Sequence, residues 1–223
     1  MIAALKLLFP PRCAGCRSLG AVWCRACDRS LIKIRGRICP LCGRKQTSPR
    51  PCAYCRRNPL PLCVRSYAMY DGPLLRALLH LKYRPNQRLA RVFAEWLREL
   101  LRREQWHATV IAAVPLAASR QRQRGYNQVE LIATALSRMI ELPYDPEVLR
   151  RNRETPSQVG LDPAQRWVNV SGAFVACSPS EQMKTVILVD DLFTTGATLA
   201  ACASALLENG TQQVFGLTVA RAR

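Results

Sequence analysis

The amino-acid sequence predicts an α/β protein with a mostly parallel sheet, preceded by a small cysteine-rich module. The first observation is that nine of the eleven cysteines lie before residue 64. The second is that strand-like and helix-like segments alternate after that residue, which is typical of parallel strands joined by helical crossovers. The third is the length of 223 residues with 49% hydrophobic content, which suits a module of 1–63 and a core-forming domain of 64–223.

The cysteines of the module form four Cys-x-x-Cys pairs, a spacing that lets both sulfurs of a pair face one metal ion. Two pairs complete a tetrahedral zinc site, so the sequence predicts two structural zinc ions. Neighbouring pairs make the simplest sites, and an interleaved pairing stays open. Disulfides need an oxidising compartment, and a redox Cys-x-x-Cys usually occurs once, so neither suits four successive pairs. The predicted ligands are Cys13, Cys16, Cys24, Cys27, Cys39, Cys42, Cys52 and Cys55.

The charge of the chain is strongly positive and unevenly distributed. There are 33 Lys and Arg against 15 Asp and Glu, a net charge of +18, and the only acid in residues 1–63 is Asp28. Such a field favours polyanions, so we expect single-stranded DNA as a partner of the module, with a solvated basic surface as the alternative. Candidate nucleic-acid contacts are Arg35, Arg37, Arg44 and Lys45, with Trp23 and Tyr54 as residues that could stack a base.

The N-terminal apolar segment is too short to be a membrane anchor. No apolar stretch of the chain reaches the 18 residues of a membrane span. Residues 2–9 contain Lys6 and lack the small-residue cleavage site of a secretory signal. We therefore expect a short packing helix over residues 2–9 and a cytoplasmic protein with no membrane span.

The remaining elements follow from apolar periodicity. Helical spacing is strongest over 88–103, where large apolar residues share one face. Short apolar runs predict buried strands over 109–114 and 185–189. Residues 143–166 are polar and punctuated by proline, so we expect an irregular segment there. Residues 150–169 are expected to form a mobile lid over the site, with an ordinary connector as the alternative. The other expected elements are strands over 64–70 and 214–220, and helices over 74–82, 128–140 and 198–208.

Residues 186–199 combine a buried strand, two acids and a loop rich in Thr and Gly that leads into a helix. Backbone N–H groups and hydroxyls of such a loop can hold a phosphate, aided by the helix N-terminus. Asp190 and Asp191 would repel a phosphate, but they can accept hydrogen bonds from ribose hydroxyls or hold a divalent cation. A phosphate site beside a diol site indicates a ribose 5-phosphate group. A helix cap without a ligand is the alternative.

This segment resembles the motif of type I phosphoribosyltransferases that binds 5-phosphoribosyl 1-pyrophosphate (PRPP). The resemblance implies a parallel-sheet type I phosphoribosyltransferase fold, with Asp190 and Asp191 as catalytic residues on the ribose hydroxyls and Mg²⁺ bound with PRPP. A second phosphate loop would lie over 115–128, after the 109–114 strand, with a solvated basic loop as the alternative. Arg120, Arg122 and Arg124 of this loop suit the pyrophosphate, because arginine binds phosphate oxygens in pairs. The predicted ligand set is Asp190, Asp191, Thr194, Thr195, Gly196, Ala197, Thr198, Arg120 and Arg124.

A second block, from Val114 through Arg120 and Arg124 to Gln128, is similar to the ComF family. Members of that family pair an N-terminal zinc module with a phosphoribosyltransferase-like domain. They are associated with natural transformation, that is competence and DNA uptake, or with the use of DNA as a nutrient. The resemblance implies a transferase of unknown acceptor. The alternative is a non-catalytic accessory protein that senses a nucleotide and binds single-stranded DNA or a DNA-uptake helicase.

Four further residues carry specific expectations. Thr194 stands where many purine phosphoribosyltransferases have an acid that acts as a base, so purine salvage is not expected. Asn127 can cap the helix that begins at Gln128. We expect Lys82 to extend along the surface with its ammonium group in water, and contact with a phosphate is the alternative. Cys63 has no partner at metal-ligand spacing, and we expect it to lie outside both zinc sites.

Overall fold

The computed structural model of the chain describes residues 10–155, 160–177 and 184–223. The helix expected over residues 2–9 lies outside these residues. Most of the described chain forms one central sheet with a helical layer on each side, and two cysteine-rich ribbons precede it. None of the helices in the described residues is both long and apolar enough to cross a membrane.

The central sheet has four strands and is entirely parallel. Its order is β1 (Cys63–Met69), β6 (Gln213–Arg221), β5 (Thr185–Phe193) and β2 (Val110–Ala113). β5 is flanked on both sides, and its first residues are buried on both faces, as expected for a central parallel strand. A separate antiparallel pair consists of β3 (Leu149–Arg151) and β4 (Phe174–Ala176).

Helices cover the two faces of the sheet. On one face, α3 (Gly72–Tyr83), α4 (Gln87–Glu104) and α6 (Gln128–Ile140) share a buried cluster with Ile187 and Val189 of β5. On the other face, α7 (Pro163–Val170) and α8 (Ala197–Glu208) share a cluster with Val186 and Leu188. The alternation along β5 therefore divides the apolar side chains between the two layers. The short helix α5 (Ala118–Arg124) follows β2.

The two cysteine-rich ribbons pack on opposite layers. The first ribbon, residues 11–31 with α1 (Arg25–Arg29), contacts the α3 and α4 layer through the ring of Trp23, whose centroid lies 5.4 Å from that of Trp96. The second ribbon, residues 37–58 with α2 (Ala53–Arg57), places its cysteines in the core cluster of the α8 layer. Residues between the ribbons pair with β1, since Ile34 N–H donates to the carbonyl of Tyr67.

The structure confirms the parallel α/β architecture and most of the expected elements. The helix over 128–140 has the expected bounds, and the other helices and strands of the main domain differ at their ends by a few residues. The largest difference at an end is in β5, which continues through both acids to Phe193.

Two segments differ from the prediction in kind. Part of the expected irregular connector over 143–166 forms β3 and the start of α7. Pro163 lies in the first turn of α7, where a missing N–H costs nothing, so the proline begins a helix instead of interrupting one. Asp162 and Gln165 form a capping box at this end. The expected phosphate loop after β2 is partly helical, because residues 118–124 form α5.

Candidate functional site

The eight predicted metal ligands form two separate clusters. In each cluster the four cysteine sulfurs all lie within 4.8 Å of one another. Each cluster combines two Cys-x-x-Cys pairs that are neighbours in the sequence, so the pairing is not interleaved. A tetrahedral zinc ion with Zn–S bonds of about 2.3 Å places its sulfurs about 3.8 Å apart. The sulfurs of Cys13 and Cys27 and those of Cys16 and Cys24 are 3.6 Å apart. The sulfurs of Cys42 and Cys52 are 3.8 Å apart, so the donor sets and their spacing suit zinc.

Backbone N–H groups point at the sulfurs, as expected for thiolate ligands. The N–H of Cys24 donates to the sulfur of Cys13 at 3.4 Å, and the N–H of Cys52 donates to that of Cys39 at 3.3 Å. Cys63 belongs to neither cluster among the described residues, as predicted. The N–H donors of Cys24 and Cys52 would hold the sulfur ligands in place and lower the electrostatic cost of placing thiolates close together.

The second cluster is joined to the main domain by a buried arginine. Arg221, at the end of β6, is 3% exposed and donates to the carbonyl of Cys42. Its other terminal nitrogen lies 3.7 Å from the Cys42 sulfur, and its guanidinium carbon lies 4.6 Å from the ring centroid of Phe193. The positive charge of Arg221 therefore faces the site where four thiolates would gather, and it offsets part of their negative charge.

The predicted acid pair lies in the last part of β5. The Asp191 carboxylate is 3.3 Å from the ammonium nitrogen of Lys82 and accepts a hydrogen bond of 3.0 Å from the Gln128 amide. The side chains of Asp191 and Lys82 are only 8% and 22% exposed. The prediction that Lys82 extends into water is therefore wrong. An opposing carboxylate holds its ammonium group inward, and the charge of Asp191 raises the pKa of Lys82.

Asp190 has a different environment from its neighbour. Its carboxylate oxygen accepts the N–H of Asp191 at 2.8 Å. Burial, followed by the nearby charge of Asp191, raises the pKa of Asp190 to about 8. At neutral pH the pair therefore consists of a mostly protonated Asp190 beside Asp191 paired with Lys82. A protonated carboxyl group can both donate and accept hydrogen bonds, which suits a diol.

The loop after β5 is closely packed, which explains its glycine. Gly196 has φ of +86°, and a Cβ at this position would lie 2.9 Å from the ring of Phe193 and 3.1 Å from Leu60. Thr195 accepts the N–H of Ala197 with its hydroxyl oxygen at 3.3 Å. α8 begins at Ala197, so the loop stands at the N-terminus of a helix of 12 residues, where an anion is favoured.

The second ribbon holds this loop from outside the main domain. The hydroxyl of Tyr54 donates to the carbonyl of Thr195 at 2.8 Å. The indole N–H of Trp167 on α7 donates to the same Tyr54 hydroxyl at 3.2 Å. Tyr54 is therefore half-buried and hydrogen-bonded, and the structure does not present it as a residue free to stack a base. Trp23, the other predicted stacking residue, packs against Trp96.

Arg120 and Arg124 both lie on α5, but they face different neighbours. Arg124 donates to the Gln128 side chain at 2.9 Å, so Gln128 connects this arginine to Asp191. Arg120 lies close enough to Arg151 to help lower the pKa of Arg151, for which burial is the larger cause. Helix α5 is also joined to the segment that follows β3, because the backbone N–H and the hydroxyl of Ser119 each donate to the Glu154 carboxylate at 2.9 Å.

The predicted nucleic-acid contacts are only partly brought together. Arg35 forms an ion pair with Glu99 at 3.1 Å, so its charge is largely balanced. Arg37, Arg44 and Lys45 are exposed on the β-ribbon of the second ribbon, and none of them pairs with an acid among the described residues. The sequence suggests all four by their charge alone, and it carries no signal for the contact of Arg35 with α4.

The fold and the site together define a class of protein: a zinc-ribbon protein whose parallel α/β domain has an acid pair and a Thr-rich loop at the end of one strand. Residues 4–58 match the model of the double zinc ribbon domain. The chain is 34% identical to the DNA utilization protein YhgH of Escherichia coli strain K12, over 93% of this chain and 96% of that protein. It is 32% identical to the competence protein ComFC of Bacillus subtilis strain 168, over 84% of this chain and 78% of that protein. The chain belongs to the ComF family of these proteins.

Solved structures matched by the fold include a phosphoribosyltransferase from Corynebacterium diphtheriae. The two share 23% sequence identity, and the match covers 68% of this chain and 69% of that chain with a TM-score of 0.39. An adenine phosphoribosyltransferase from Thermoanaerobacter pseudethanolicus matches 67% of this chain and 84% of its own, with 15% identity and a TM-score of 0.38.

Proposed function

We propose that the protein binds PRPP or another phosphoribosyl ligand, together with Mg²⁺, at the carboxyl end of β5. We further propose that it acts in DNA uptake, as in competence, or in DNA utilisation. The observation that carries the first proposal is the acid pair placed directly before a loop at a helix N-terminus. The names of the relatives, a DNA utilization protein and a competence protein, support the second. Because eight thiol ligands need a reducing compartment, we place the protein in the cytoplasm.

Each part of such a ligand has a suitable partner. The loop from Thr194 to Thr198 would bind the 5′-phosphate, because N–H groups and hydroxyls are offered at the positive end of α8. Asp190 would exchange hydrogen bonds with a ribose hydroxyl, and Asp191 would accept one while it stays paired with Lys82. Mg²⁺ would neutralise pyrophosphate charge.

The reaction class that suits these groups is phosphoribosyl transfer. A nucleophilic atom of the acceptor forms a bond to C1 of the ribose, and pyrophosphate leaves with the bonding electron pair. Arg124, held through Gln128 beside the acids, and Arg120 would stabilise the departing charge. The acceptor supplies the nucleophile.

The test is calorimetric titration of PRPP with Mg²⁺ into the zinc-loaded protein, with pyrophosphate release measured in the same sample. We expect saturable binding that the double variant Asp190→Asn/Asp191→Asn abolishes. Glu95→Gln, on the exposed face of α4, is the matched control and should bind as the unmodified protein does. Equal binding by the double variant would contradict the proposal, and so would the absence of binding by the unmodified protein.

A second candidate function is direct contact of the zinc module with single-stranded DNA. It is favoured by the exposed and unpaired Arg37, Arg44 and Lys45 described above. The triple variant Arg37→Glu/Arg44→Glu/Lys45→Glu should weaken binding of a labelled oligonucleotide, most strongly at low salt. Unchanged affinity would remove this surface from consideration.

A further inference from the structure

The first ribbon and α3 enclose a groove that lies apart from the phosphate loop and has one predicted zinc ligand, Cys13, in its wall. Its volume is about 610 Å³. Arginines line it from both sides, and two exposed apolar side chains lie between them. We call it the ribbon–helix groove, and its lining includes Arg12, Arg17, Arg76, Leu79, Tyr83 and Arg84.

The groove is strongly positive and contains no balancing acid. Its four arginines are exposed, and none forms an ion pair within the described part of the chain. The sequence before Arg12 contains no Asp or Glu at all. Arg35, by contrast, forms an ion pair with Glu99. Four adjacent positive charges without counter-ions form a site for a polyanion.

The groove also presents an aromatic ring to the solvent. Tyr83, the last residue of α3, is 71% exposed, and Leu79 one turn earlier is 39% exposed. A large aromatic side chain left this exposed among arginines is suited to stacking a base. One ordered position of the ring is supported by Arg124, whose guanidinium carbon lies 5.7 Å from the ring centroid.

The walls of the groove are fixed relative to each other. Arg76 on α3 donates from its Nε to the carbonyl of Gly15 in the first ribbon. A Cβ at Gly15 would lie 2.7 Å from Pro73 and 2.9 Å from both Trp23 and the sulfur of Cys27, so only glycine permits this approach. Zinc binding in the first ribbon would therefore hold one wall of the groove in place.

From this geometry we infer that the ribbon–helix groove binds single-stranded nucleic acid, with phosphates on the arginines and a base stacked on Tyr83. The inference deepens the second candidate function, on which it rests, and moves the contact to a different surface of the module. A single strand is specified because a duplex keeps its bases stacked inside and offers no free face to a tyrosine. Contacts through Arg124 and Gln128 link Tyr83 to Asp191 of the acid pair.

The test measures fluorescence anisotropy of labelled oligothymidine and oligouridine with the full-length, zinc-loaded protein. Tyr83→Ala should weaken binding about 10- to 100-fold, whereas Tyr83→Phe, which keeps the ring, should stay within about twofold. Arg17→Gln/Arg84→Gln should lower the slope of log affinity against log salt by about 1.4, because each phosphate contact on a single strand contributes about 0.7. The oligonucleotide that binds more tightly identifies the ligand as DNA or RNA. With either one, these effects of the Tyr83 and arginine variants would support binding in the groove.

The matched control is Arg102→Gln/Arg138→Gln, which removes two exposed arginines that form no ion pair within the described residues. An equal loss in this control would mean general attraction by net charge and would overturn the inference. It would also be overturned if Tyr83→Ala bound as tightly as the unmodified protein, or if a blunt duplex competed as well as a single strand. Loss of affinity only in the Arg37/Arg44/Lys45 variant would assign binding to the second ribbon. The oligonucleotide measurements do not depend on the PRPP titration. The groove and the phosphoribosyl site can therefore be rejected independently of each other.

Discussion

Asp190 and Asp191 are adjacent in the chain, but the fold gives their carboxyl groups different surroundings. Lys82 and Gln128, on two different helices, both contact the Asp191 carboxylate. The pKa of Asp190 is instead raised by burial and by the charge of Asp191. The motif alone predicts both acids as equal partners of a sugar. The motif could not predict that the two acids have different surroundings, because Lys82 and Gln128 are distant from them in the sequence and nothing near either residue marks it as a partner of Asp191.

A pH-dependent stability follows from the raised pKa of Asp190. The folded state keeps the proton up to a pH of about 8, whereas the unfolded chain releases it near pH 4. The folded state therefore holds more protons between these values, and the free energy of unfolding falls as pH rises through that window. Asp190→Asn has no proton to lose. We expect it to be more stable than the unmodified protein above pH 8, by up to a few kcal/mol, and this advantage should shrink steadily as the pH falls from 8 towards 5.

Urea unfolding of both zinc-loaded proteins at several pH values measures this difference. The amide oxygen of the asparagine can still accept the N–H of Asp191, so the local hydrogen bond is retained. A stability difference that does not change with pH would contradict the assignment of the proton to Asp190.

The Lys82–Asp191 pair supports a second prediction at this scale. Lys82→Met should destabilise the protein by about 3–5 kcal/mol, because it leaves a buried carboxylate without its counter-charge. The double variant Lys82→Met/Asp191→Asn should recover much of that loss. Thermal unfolding of the single and double variants gives the coupling, and additive losses would show that the pair does not interact in solution.

The phosphate loop depends on an element from the other end of the chain. Tyr54 of the second ribbon donates to Thr195, and Trp167 of α7 donates to Tyr54. The sequence predicts the strand, loop and helix, because each follows from apolar periodicity or from Thr and Gly content. It assigns Tyr54 to a nucleic-acid surface, since nothing local to the ribbon indicates that this side chain faces the loop. The missed β3 and α7 have a similar cause, because these short elements depend on distant partners: α7 packs on α8, and β3 pairs with β4, which also packs on α8.

We expect Tyr54→Phe to weaken binding of a phosphoribosyl ligand without loss of zinc. The variant removes one hydrogen bond to the loop, with a cost of about 1 kcal/mol or about fivefold in affinity. Calorimetry with PRPP and zinc analysis of the same sample measure both quantities. Tyr67→Phe, which loses a hydrogen bond to Glu99 outside the loop, is the control. Equal effects in the two variants would argue against a specific role for the Tyr54 hydroxyl.

The second ribbon shares a core cluster with the main domain, so packing continues across the predicted domain boundary between residues 63 and 64. That boundary remains a prediction, and β1 begins at Cys63. The cysteines of the second ribbon are 0–7% exposed within the core cluster of the α8 layer, whereas Cys16 of the first ribbon is exposed. The sequence presents four equivalent pairs, and only the fold shows that one zinc site belongs to the core of the main domain.

The two zinc sites should therefore release their metal at different rates. With a chromogenic chelator in excess, we expect one zinc ion per chain to leave rapidly from the first ribbon. The second should leave at least about tenfold more slowly, because its release needs opening of the core. Cys16→Ser should remove the rapid phase alone, and loss of the slow phase in that variant would contradict the assignment. Release of both ions in one phase would contradict the expected order.

The aromatic contact between the first ribbon and α4 gives the protein an intrinsic optical reporter. The rings of Trp23 and Trp96 meet edge to face at 75°, and Tyr67 stacks on Trp96 with a centroid distance of 4.8 Å. Indoles held this close couple their electronic transitions, so the docked ribbon should give a circular dichroism couplet that vanishes when the ribbon moves away. Attachment of the first ribbon could then be followed without any label, as metal or oligonucleotide is added.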